Sequence, residues 1–176
     1  MKRAVFLDRD GVVCEAIVRD GRAHAPTALE DFRLAADAGA QVARLREAGF
    51  VCLVFTNQPE LARGLLAPHT LEAMHRLLRE QVAVDDVYVC PHDPADGCEC
   101  HKPKPGMLHT AAREWSLSLS DSFVIGDRWR DVDAGRAAGC FTILLERSYS
   151  ACSVADACVA NLAEAVDLVL AHRGGG

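Results

Sequence analysis

Two carboxylates stand two residues apart where the first apolar run of the chain ends. Ala4–Leu7 leads directly into Asp8, Arg9, Asp10 and Gly11. Successive strand residues point to opposite faces, but a break at the glycine lets the second carboxylate turn, so that both can face one pocket. One aspartate could then act as a nucleophile while the other transfers protons. Because Asp and Gly are also common in ordinary turns, this interpretation needs support from elsewhere in the chain.

Further polar residues follow later apolar runs in the same manner. They are Thr56 with Asn57 and Gln58 after Phe50–Phe55, Lys102 between a strand and a helix, and Asp127 after Phe123–Ile125 and Gly126. In an open parallel sheet, ligands bind beyond the carboxyl ends of the strands. We therefore expect all of these side chains to meet at one edge of a sheet.

Short apolar runs alternate with helical patterns along the chain. The predicted strands are Ala4–Leu7, Phe50–Phe55, Val87–Cys90, Phe123–Ile125, Phe141–Leu145 and Ala157–Ala160. The predicted helices lie at about Ala35–Ala48, Pro68–Gln81, Gly106–Trp115, Arg130–Ala138 and Leu162–Ala171, with apolar residues near i, i+3 and i+4. This alternation predicts an α/β fold, a Rossmann-like three-layer sandwich with a mainly parallel sheet.

Length and charge restrict the class of protein. A chain of 176 residues with 50% apolar content predicts a single domain, here residues 1–172, followed by a tail at 173–176. The 19 basic and 25 acidic side chains give a net charge of −6, which argues against nucleic-acid binding. No signal peptide or membrane-length apolar run is evident, so we expect a cytoplasmic protein without a membrane partner. We expect a monomer, since no long apolar edge is evident.

A second motif has the spacing of a metal site. Cys90 and His92 are followed by Cys98 and Cys100, the pattern C-x-H-x₅-C-x-C. Three thiolates and one imidazole form a closed tetrahedral ligand set that suits structural Zn²⁺. The intervening residues are polar and turn-forming, so a metal would order this loop, which we call the zinc loop (residues 90–101). The remaining thiols are predicted to be packing residues: Cys14, Cys52, Cys140, Cys152 and Cys158.

Together, these motifs resemble those of the haloacid dehalogenase-like hydrolase superfamily. The resemblance implies a phosphatase in which Asp8 is the nucleophile and Asp10 is the general acid and base. It implies that Thr56 and Lys102 bind the phosphoryl group. Mg²⁺ would be held by Asp8, the backbone carbonyl of Asp10 and Asp127, all hard oxygen ligands. Asp131 could support the metal or cap the following helix, and the cap is the favoured interpretation.

The zinc loop narrows the resemblance to the branch that contains D-glycero-D-manno-heptose 1,7-bisphosphate 7-phosphatases and histidinol-phosphate phosphatases. The segment 56–64 and the segment 102–107 look closer to the heptose enzymes, which implies a small phosphorylated sugar as substrate. The predicted substrate contacts are Asn57, Gln58, Arg63, His101 and Arg128. His101 stands where the family usually has arginine and Arg128 where it often has lysine, so the distal group of the substrate could bind Arg63, Arg19 or Arg128 instead.

The gaps between the motifs are too short for a large cap domain. Substrate selection is therefore expected to fall to three loops: residues 14–25, residues 58–64 and the zinc loop. Two alternatives remain open. A histidinol-phosphate phosphatase would need acidic groups near the site, such as Glu15, Asp20 or Glu60. A catalytically silent zinc-binding interaction module would have no evident need for the complete set of aspartates, threonine and lysine.

Overall fold

A six-stranded parallel sheet forms the centre of the molecule. The structure is a computed structural model and describes residues 1–150 and 154–172. The sheet strands are β1 (Ala4–Leu7), β4 (Val51–Asn57), β5 (Asp86–Cys90), β6 (Phe123–Gly126), β7 (Phe141–Leu145) and β8 (Ala157–Val159). Their spatial order is β5-β4-β1-β6-β7-β8, and every neighbouring pair is parallel. The predicted mainly parallel α/β fold is confirmed.

Helices cover both faces of this sheet. They are α1 (Ala38–Glu47), α2 (Pro68–Val82), α3 (Gly106–Trp115), α4 (Trp129–Ala138) and α5 (Leu162–Ala171). One apolar core unites α1, α2 and α5 with Val5 and Leu7 of β1, and a second unites α3 and α4 with Phe6. Because successive strand side chains point to opposite faces of the sheet, they contribute to two separate apolar cores. The sheet and the helices on its two faces form the three layers of the sandwich. None of the described helices is both long enough and apolar enough to cross a membrane.

The ends of the helices follow the expected signals. Pro68 opens α2, where its missing N–H would have no helical partner in any case. The side chain of Asn161 caps α5 by accepting a hydrogen bond from the Glu164 backbone N–H at 2.9 Å. Gly139 ends α4 in the left-handed conformation.

One predicted loop contains a hairpin. Residues 14–25 include β2 (Ile17–Arg19) and β3 (Arg22–His24), which pair antiparallel. Asp20 and Gly21 join them, both with positive φ, at 50° and 70°. Each strand has only three residues, too few for a periodic pattern, but Asp-Gly between two short runs is a known hairpin signal. Among the described residues, β2 and β3 are the only strands between β1 and α1.

Some element boundaries differ from those predicted. β4 continues to Asn57 instead of ending at Phe55, so Thr56 and Asn57 are the last residues of the strand itself. The first helix begins three residues later than expected, at Ala38, and α4 begins one residue earlier, at Trp129. Because Thr56 lies within the ladder, its backbone position is fixed by pairing with β5.

The thiols outside the zinc loop divide into two groups. Cys14, Cys52 and Cys140 are buried, as predicted for packing residues. Burial raises the pKa of Cys52 and of Cys140 to about 12, so both stay protonated. Cys158 is exposed on the edge strand β8, which corrects the prediction that it packs in the core. Cys152 lies outside the described residues, as does the predicted tail at 173–176.

Candidate active site

The ends of three adjacent strands and one loop bring the predicted polar residues together. Asp8 follows β1, Thr56 ends β4 and Asp127 follows β6, while Lys102 lies between β5 and α3. All four side chains are buried. Asp8, Asp10, Thr56 and Lys102 line a single open cleft at this edge of the sheet. The expected meeting of these residues is thus observed.

Lys102 lies at the base of the cleft with all three of its N–H donors engaged. Its Nζ lies 2.8 Å from Asp8 Oδ1, 2.7 Å from Asp131 Oδ1 and 3.0 Å from the backbone carbonyl oxygen of Phe55. Burial alone would lower the pKa of Lys102, but the carboxylates of Asp131 and Asp8 outweigh it and raise that pKa. Burial would likewise raise the pKa of Asp8, yet the charge of Lys102 keeps it below its usual value. Asp8 is therefore an ionised carboxylate held at a fixed orientation.

Three carboxylates form a candidate cation site beside the lysine. Oxygen atoms of Asp8, Asp127 and Asp131 all lie within 4.8 Å of one another. Burial, together with the negative charges of Asp8 and Asp131, raises the pKa of Asp127 to about 8. Asp127 Oδ1 is buried and has no hydrogen-bond partner among the described residues. A hard divalent cation such as Mg²⁺ would satisfy this oxygen and offset the clustered negative charge, so the residues fit the ion.

Asp131 caps α4, as predicted, and also contacts Lys102 and the acidic cluster. Its Oδ2 accepts a hydrogen bond from the Arg128 backbone N–H at 3.1 Å, which caps α4 as expected. Its Oδ1 also pairs with Lys102 and belongs to the acidic cluster. A Cβ on Gly126 would lie 2.2 Å from Asp131 Cβ, so only glycine at 126 allows this approach. The sequence motif G-D-x-x-x-D therefore supplies two of the three carboxylates of the acidic cluster.

Asp10 is held by a buried network that the sequence did not reveal. Arg9 is fully buried and binds Asp10 in a bidentate manner, with Nε 3.0 Å from Oδ1 and Nη2 2.9 Å from Oδ2. Gln58 Nε2 donates to Asp10 Oδ2 at 3.1 Å and to Thr56 Oγ1 at 3.0 Å. His75 Nε2 lies 3.2 Å from Arg9 Nη1. This network fixes the position of the second carboxylate of the D-x-D motif.

Asn57 connects β4 to the end of the zinc loop. Its Oδ1 accepts from the Lys102 backbone N–H at 3.0 Å, and its Nδ2 donates to the Lys102 carbonyl oxygen at 3.2 Å. Both polar atoms of the Asn57 side chain are thereby engaged with the backbone of one residue. Gln58 is fully buried behind the cleft. Both residues were predicted to contact substrate, but their side-chain hydrogen bonds are directed to protein groups.

The zinc loop brings its four predicted ligands into contact. The Sγ atom of Cys100 lies 3.2 Å from that of Cys90 and 3.4 Å from that of Cys98, and the Sγ atoms of Cys90 and Cys98 are 3.6 Å apart. His92 Nδ1 lies 3.2 Å from Cys100 Sγ and 3.7 Å from Cys90 Sγ. Tetrahedral Zn²⁺ with Zn–S bonds of about 2.3 Å separates its sulfur ligands by roughly 3.8 Å. The donor set and the spacing both fit a closed zinc site.

Further contacts join the zinc loop to the rest of the cleft. Asp93 caps a short 3₁₀ turn at Pro94–Asp96 and binds Arg63 Nε through Oδ2 at 2.6 Å. His101 lies beside the ligands, with Nδ1 3.6 Å from Cys90 Sγ, and its pKa is lowered by burial and by the nearby charge of Arg130. The loop is therefore connected both to the predicted substrate segment 58–64 and to the cleft.

The walls of the cleft carry several ionisable side chains. They include Glu60, Arg63, His24, His101, Arg128 and Arg130. Arg63 is already paired with Asp93, and Arg128 donates from Nη2 to the Ala23 carbonyl oxygen at 3.2 Å. Arg130 has no ion pair or hydrogen bond with the described residues. One carboxylate oxygen of Glu60 is buried and also lacks a partner among them. Arg130 is not a defining residue of any sequence motif, so it was not among the predicted site residues.

Comparisons with known proteins agree with this geometry. A sequence model described as HAD-hydrolase-like matches residues 99–165. D-glycero-beta-D-manno-heptose-1,7-bisphosphate 7-phosphatase of Pseudomonas aeruginosa is 40% identical over 147 residues, which cover 81% of this chain and 80% of that protein. D-glycero-D-manno-heptose-1,7-bisphosphate 7-phosphatase of Thermosynechococcus vestitus is 36% identical over 194 aligned residues, covering 96% of each chain.

A solved structure shows the same fold. The crystal structure of D,D-heptose 1,7-bisphosphate phosphatase from B. bronchiseptica, complexed with magnesium and phosphate, superimposes with a TM-score of 0.83. The two sequences are 31% identical, and the match covers 97% of this chain and 98% of that one. The chain therefore belongs to the haloacid dehalogenase-like hydrolases, in the branch of the D-glycero-D-manno-heptose 1,7-bisphosphate 7-phosphatases.

Proposed function

We propose that this protein is a magnesium-dependent phosphomonoesterase that removes the 7-phosphate of D-glycero-D-manno-heptose 1,7-bisphosphate, or of a close sugar bisphosphate. The observation that most directly supports this proposal is the ionised Asp8 carboxylate, which Lys102 fixes at the base of the cleft beside Asp127 and Asp131. The names of the relatives support the substrate class. In this proposal residues 1–172 act as one phosphatase domain.

Asp8 is the nucleophile in the first half of the reaction. Its free carboxylate oxygen forms a bond to phosphorus as the bond from phosphorus to the sugar oxygen breaks, giving an aspartyl-phosphate. Lys102 and the hydroxyl of Thr56 bind the phosphoryl oxygens. When bound by Asp8, Asp127, Asp131 and the Asp10 carbonyl, Mg²⁺ would neutralise charge on the phosphoryl group and orient it for in-line attack.

Asp10 transfers the protons of both half-reactions. It gives a proton to the leaving sugar oxygen, and the resulting carboxylate then takes a proton from a water molecule. That water attacks phosphorus, the bond to the Asp8 oxygen breaks, and inorganic phosphate leaves. The hydrogen bonds from Arg9 and Gln58 hold Asp10 where it can serve both steps. We assign Gln58 and Asn57 to the positioning of Asp10 and Lys102, in place of direct substrate contact.

Arg130 is the best-placed group to bind the distal phosphate. A bisphosphate needs a second cation away from Asp8, and Arg63 is already neutralised by Asp93. Arg130 lines the same cleft beside Arg128 and has no partner among the described residues. An arginine fork matches a phosphate group by two parallel hydrogen bonds. In this arrangement Arg130 supplies the charge that the family's usual arginine at position 101 would supply.

Zinc has a structural role in the proposal. The four ligands leave no open coordination position for chemistry. The last ligand, Cys100, precedes Lys102 by two residues, so the metal would fix the backbone that carries the phosphate-binding lysine.

One observation favours a second candidate. The buried oxygen of Glu60 without a partner would suit a ligand amine, as in histidinol phosphate. The same oxygen could accept a hydrogen bond from a sugar hydroxyl. The two substrates therefore have to be compared directly.

The test is phosphate release by the zinc-loaded protein with Mg²⁺, from both anomers of the heptose bisphosphate and from histidinol phosphate. Strong preference for a heptose bisphosphate supports the proposal, and preference for histidinol phosphate supports the second candidate. Asp8→Asn is expected to abolish turnover while the protein keeps its melting temperature. Undiminished turnover by that variant would contradict the assigned nucleophile. A folded wild-type protein that hydrolyses none of these esters would instead support a silent zinc-binding module.

A further inference from the structure

The segment that follows β7 contacts the acidic cluster through Tyr149. The phenol O–H of Tyr149 donates to Asp127 Oδ2 at 2.6 Å. Asp127 is completely buried, and its other oxygen, Oδ1, has no hydrogen-bond partner among the described residues and lies 4.0 Å from Arg128 Nε. One oxygen of this carboxylate is thus held by the protein, while the second is left available to a cation.

Two neighbours of Tyr149 fix the backbone around the same carboxylate. Ser150 Oγ donates to the Asp127 carbonyl oxygen at 2.7 Å. Arg147 donates to the Gly11 carbonyl oxygen from Nη2 at 3.1 Å and from Nε at 3.4 Å. Residues 147–150 therefore bind both the turn that follows the two motif aspartates and the turn that follows β6.

The packing leaves little freedom between these groups. A Cβ built on Gly11, whose φ is +96°, would lie 1.9 Å from Asp127 Oδ2 and 2.7 Å from the Tyr149 hydroxyl oxygen. Glycine at position 11 thus permits the phenol, the carboxylate and the D-x-D-G turn to meet. The Asp127 carboxylate has few alternative orientations in this space.

We propose that Tyr149 is a positioning residue for the magnesium site. By binding Oδ2, the phenol orients the Asp127 carboxylate so that Oδ1 faces the ion shared with Asp8 and Asp131. Partners that orient a metal ligand in this way typically contribute 10- to 100-fold in metal affinity. The inference rests on the proposed function only in taking Mg²⁺ as the ion of the acidic cluster, and magnesium binding can be measured without any substrate.

The first test compares the two tyrosines of the chain. Tyr88 also donates to a carboxylate, that of Glu114 at 2.5 Å, but it lies on the edge strand β5 away from the acidic cluster. Calorimetric titration with Mg²⁺ is expected to show an affinity lower by about tenfold or more in Tyr149→Phe and unchanged in Tyr88→Phe. At saturating Mg²⁺, kcat of Tyr149→Phe should return close to that of the wild type. A purely structural role would lower the melting temperature without changing the affinity.

A second measurement does not depend on the folding of the Tyr149 variant. In Tyr88→Phe the sole tyrosine is Tyr149, so 3-fluorotyrosine labelling gives one ¹⁹F resonance. This resonance should shift on addition of Mg²⁺, with the dissociation constant found by calorimetry. Absence of a shift while Mg²⁺ binds would overturn the positioning role, as would wild-type affinity in a folded Tyr149→Phe protein. Magnesium binding without hydrolysis of any sugar phosphate would contradict only the proposed substrate.

Discussion

The side chain of Asn57 binds both backbone polar groups of Lys102, the N–H at 3.0 Å and the carbonyl oxygen at 3.2 Å. This pair of hydrogen bonds joins the end of β4 to the residue that follows the zinc loop. The lysine side chain then reaches Asp8 from a backbone that is fixed on both sides. The position of Lys102, the proposed phosphate-binding cation, is thus set by residues far from it in sequence.

Asn57→Ala is expected to lower kcat roughly tenfold, because the loss of two hydrogen bonds lets the Lys102 backbone shift. Steady-state kinetics at saturating Mg²⁺ measure this effect. Asn161→Ala is the matched control, since it removes a helix cap of α5 remote from the site and costs a similar ~1 kcal/mol of stability. Equal kcat in the two variants would show that Asn57 acts only on stability.

Loss of zinc should reduce both stability and turnover. Structural zinc contributes a large part of the folding free energy of the segment that binds it, so Cys98→Ser should lose bound zinc and melt several degrees lower. Its kcat should also fall, because the loop leads directly into Lys102. Elemental analysis, thermal melting and phosphate release measure the three effects. Cys158→Ser, which changes an exposed thiol on β8, should retain wild-type zinc content and activity.

Arg130→Gln should weaken binding of a bisphosphate more than binding of a monophosphate. Removal of a charged hydrogen-bonding partner costs about 1.5–3 kcal/mol, which corresponds to a rise in KM of roughly 10- to 100-fold. The KM for the heptose 7-monophosphate should change little, because that substrate has no distal phosphate. Arg113→Gln, on the exposed side of α3, serves as the control. An equal rise in KM for both substrates would show that Arg130 does not bind the distal phosphate.

His75 should make the protein less stable in mild acid. Burial, followed by the charges of Arg9 and Arg79, lowers the pKa of His75 to about 3 in the folded protein. The unfolded chain binds this proton near pH 6.5, so the stability is fully present above that pH and is lost as the pH falls toward 3. Within this window, His75 contributes about 1.4 kcal/mol per pH unit to the pH dependence of the free energy of unfolding.

Denaturant unfolding of His75→Gln at several pH values between 6 and 4 tests this assignment. The variant is expected to have a pH dependence of stability that is shallower than that of the wild type by about that amount. His109→Gln, a substitution at an exposed position of α3, should leave the wild-type slope unchanged. An identical slope in all three proteins would mean that His75 is protonated in the folded state.

Sequence patterns predicted the sheet and the main site because both follow local rules. The apolar runs predict buried parallel strands, and Asp8, Thr56 and Asp127 lie at strand ends, where such a sheet collects its ligands. The four zinc-loop residues were found from spacing alone and do lie together. The hairpin escaped prediction because its strands are short, although the Asp20–Gly21 pair was a usable signal.

The contacts that sequence reasoning missed are those between distant residues. Arg9 carries no recognisable function until the fold places His75 and Asp10 around it. Tyr149 lies 22 residues after Asp127, and only the packing of the segment after β7 against β6 brings the two together. The side chains of Asn57 and Gln58 were predicted to contact substrate, whereas their amides form hydrogen bonds with protein groups. The position of an amide side chain in the sequence does not reveal which partner it will bind.

The segments that form the walls of the cleft contribute almost nothing to the six-stranded sheet. The β2–β3 hairpin, residues 58–64 and the zinc loop each leave the sheet at one end of a strand and return to the scaffold further along the chain. Asp8, Thr56 and Asp127, in contrast, are tied directly to the strands. During divergence, insertions and substitutions in the walls could therefore exchange one phosphate ester for another while the reaction itself was preserved.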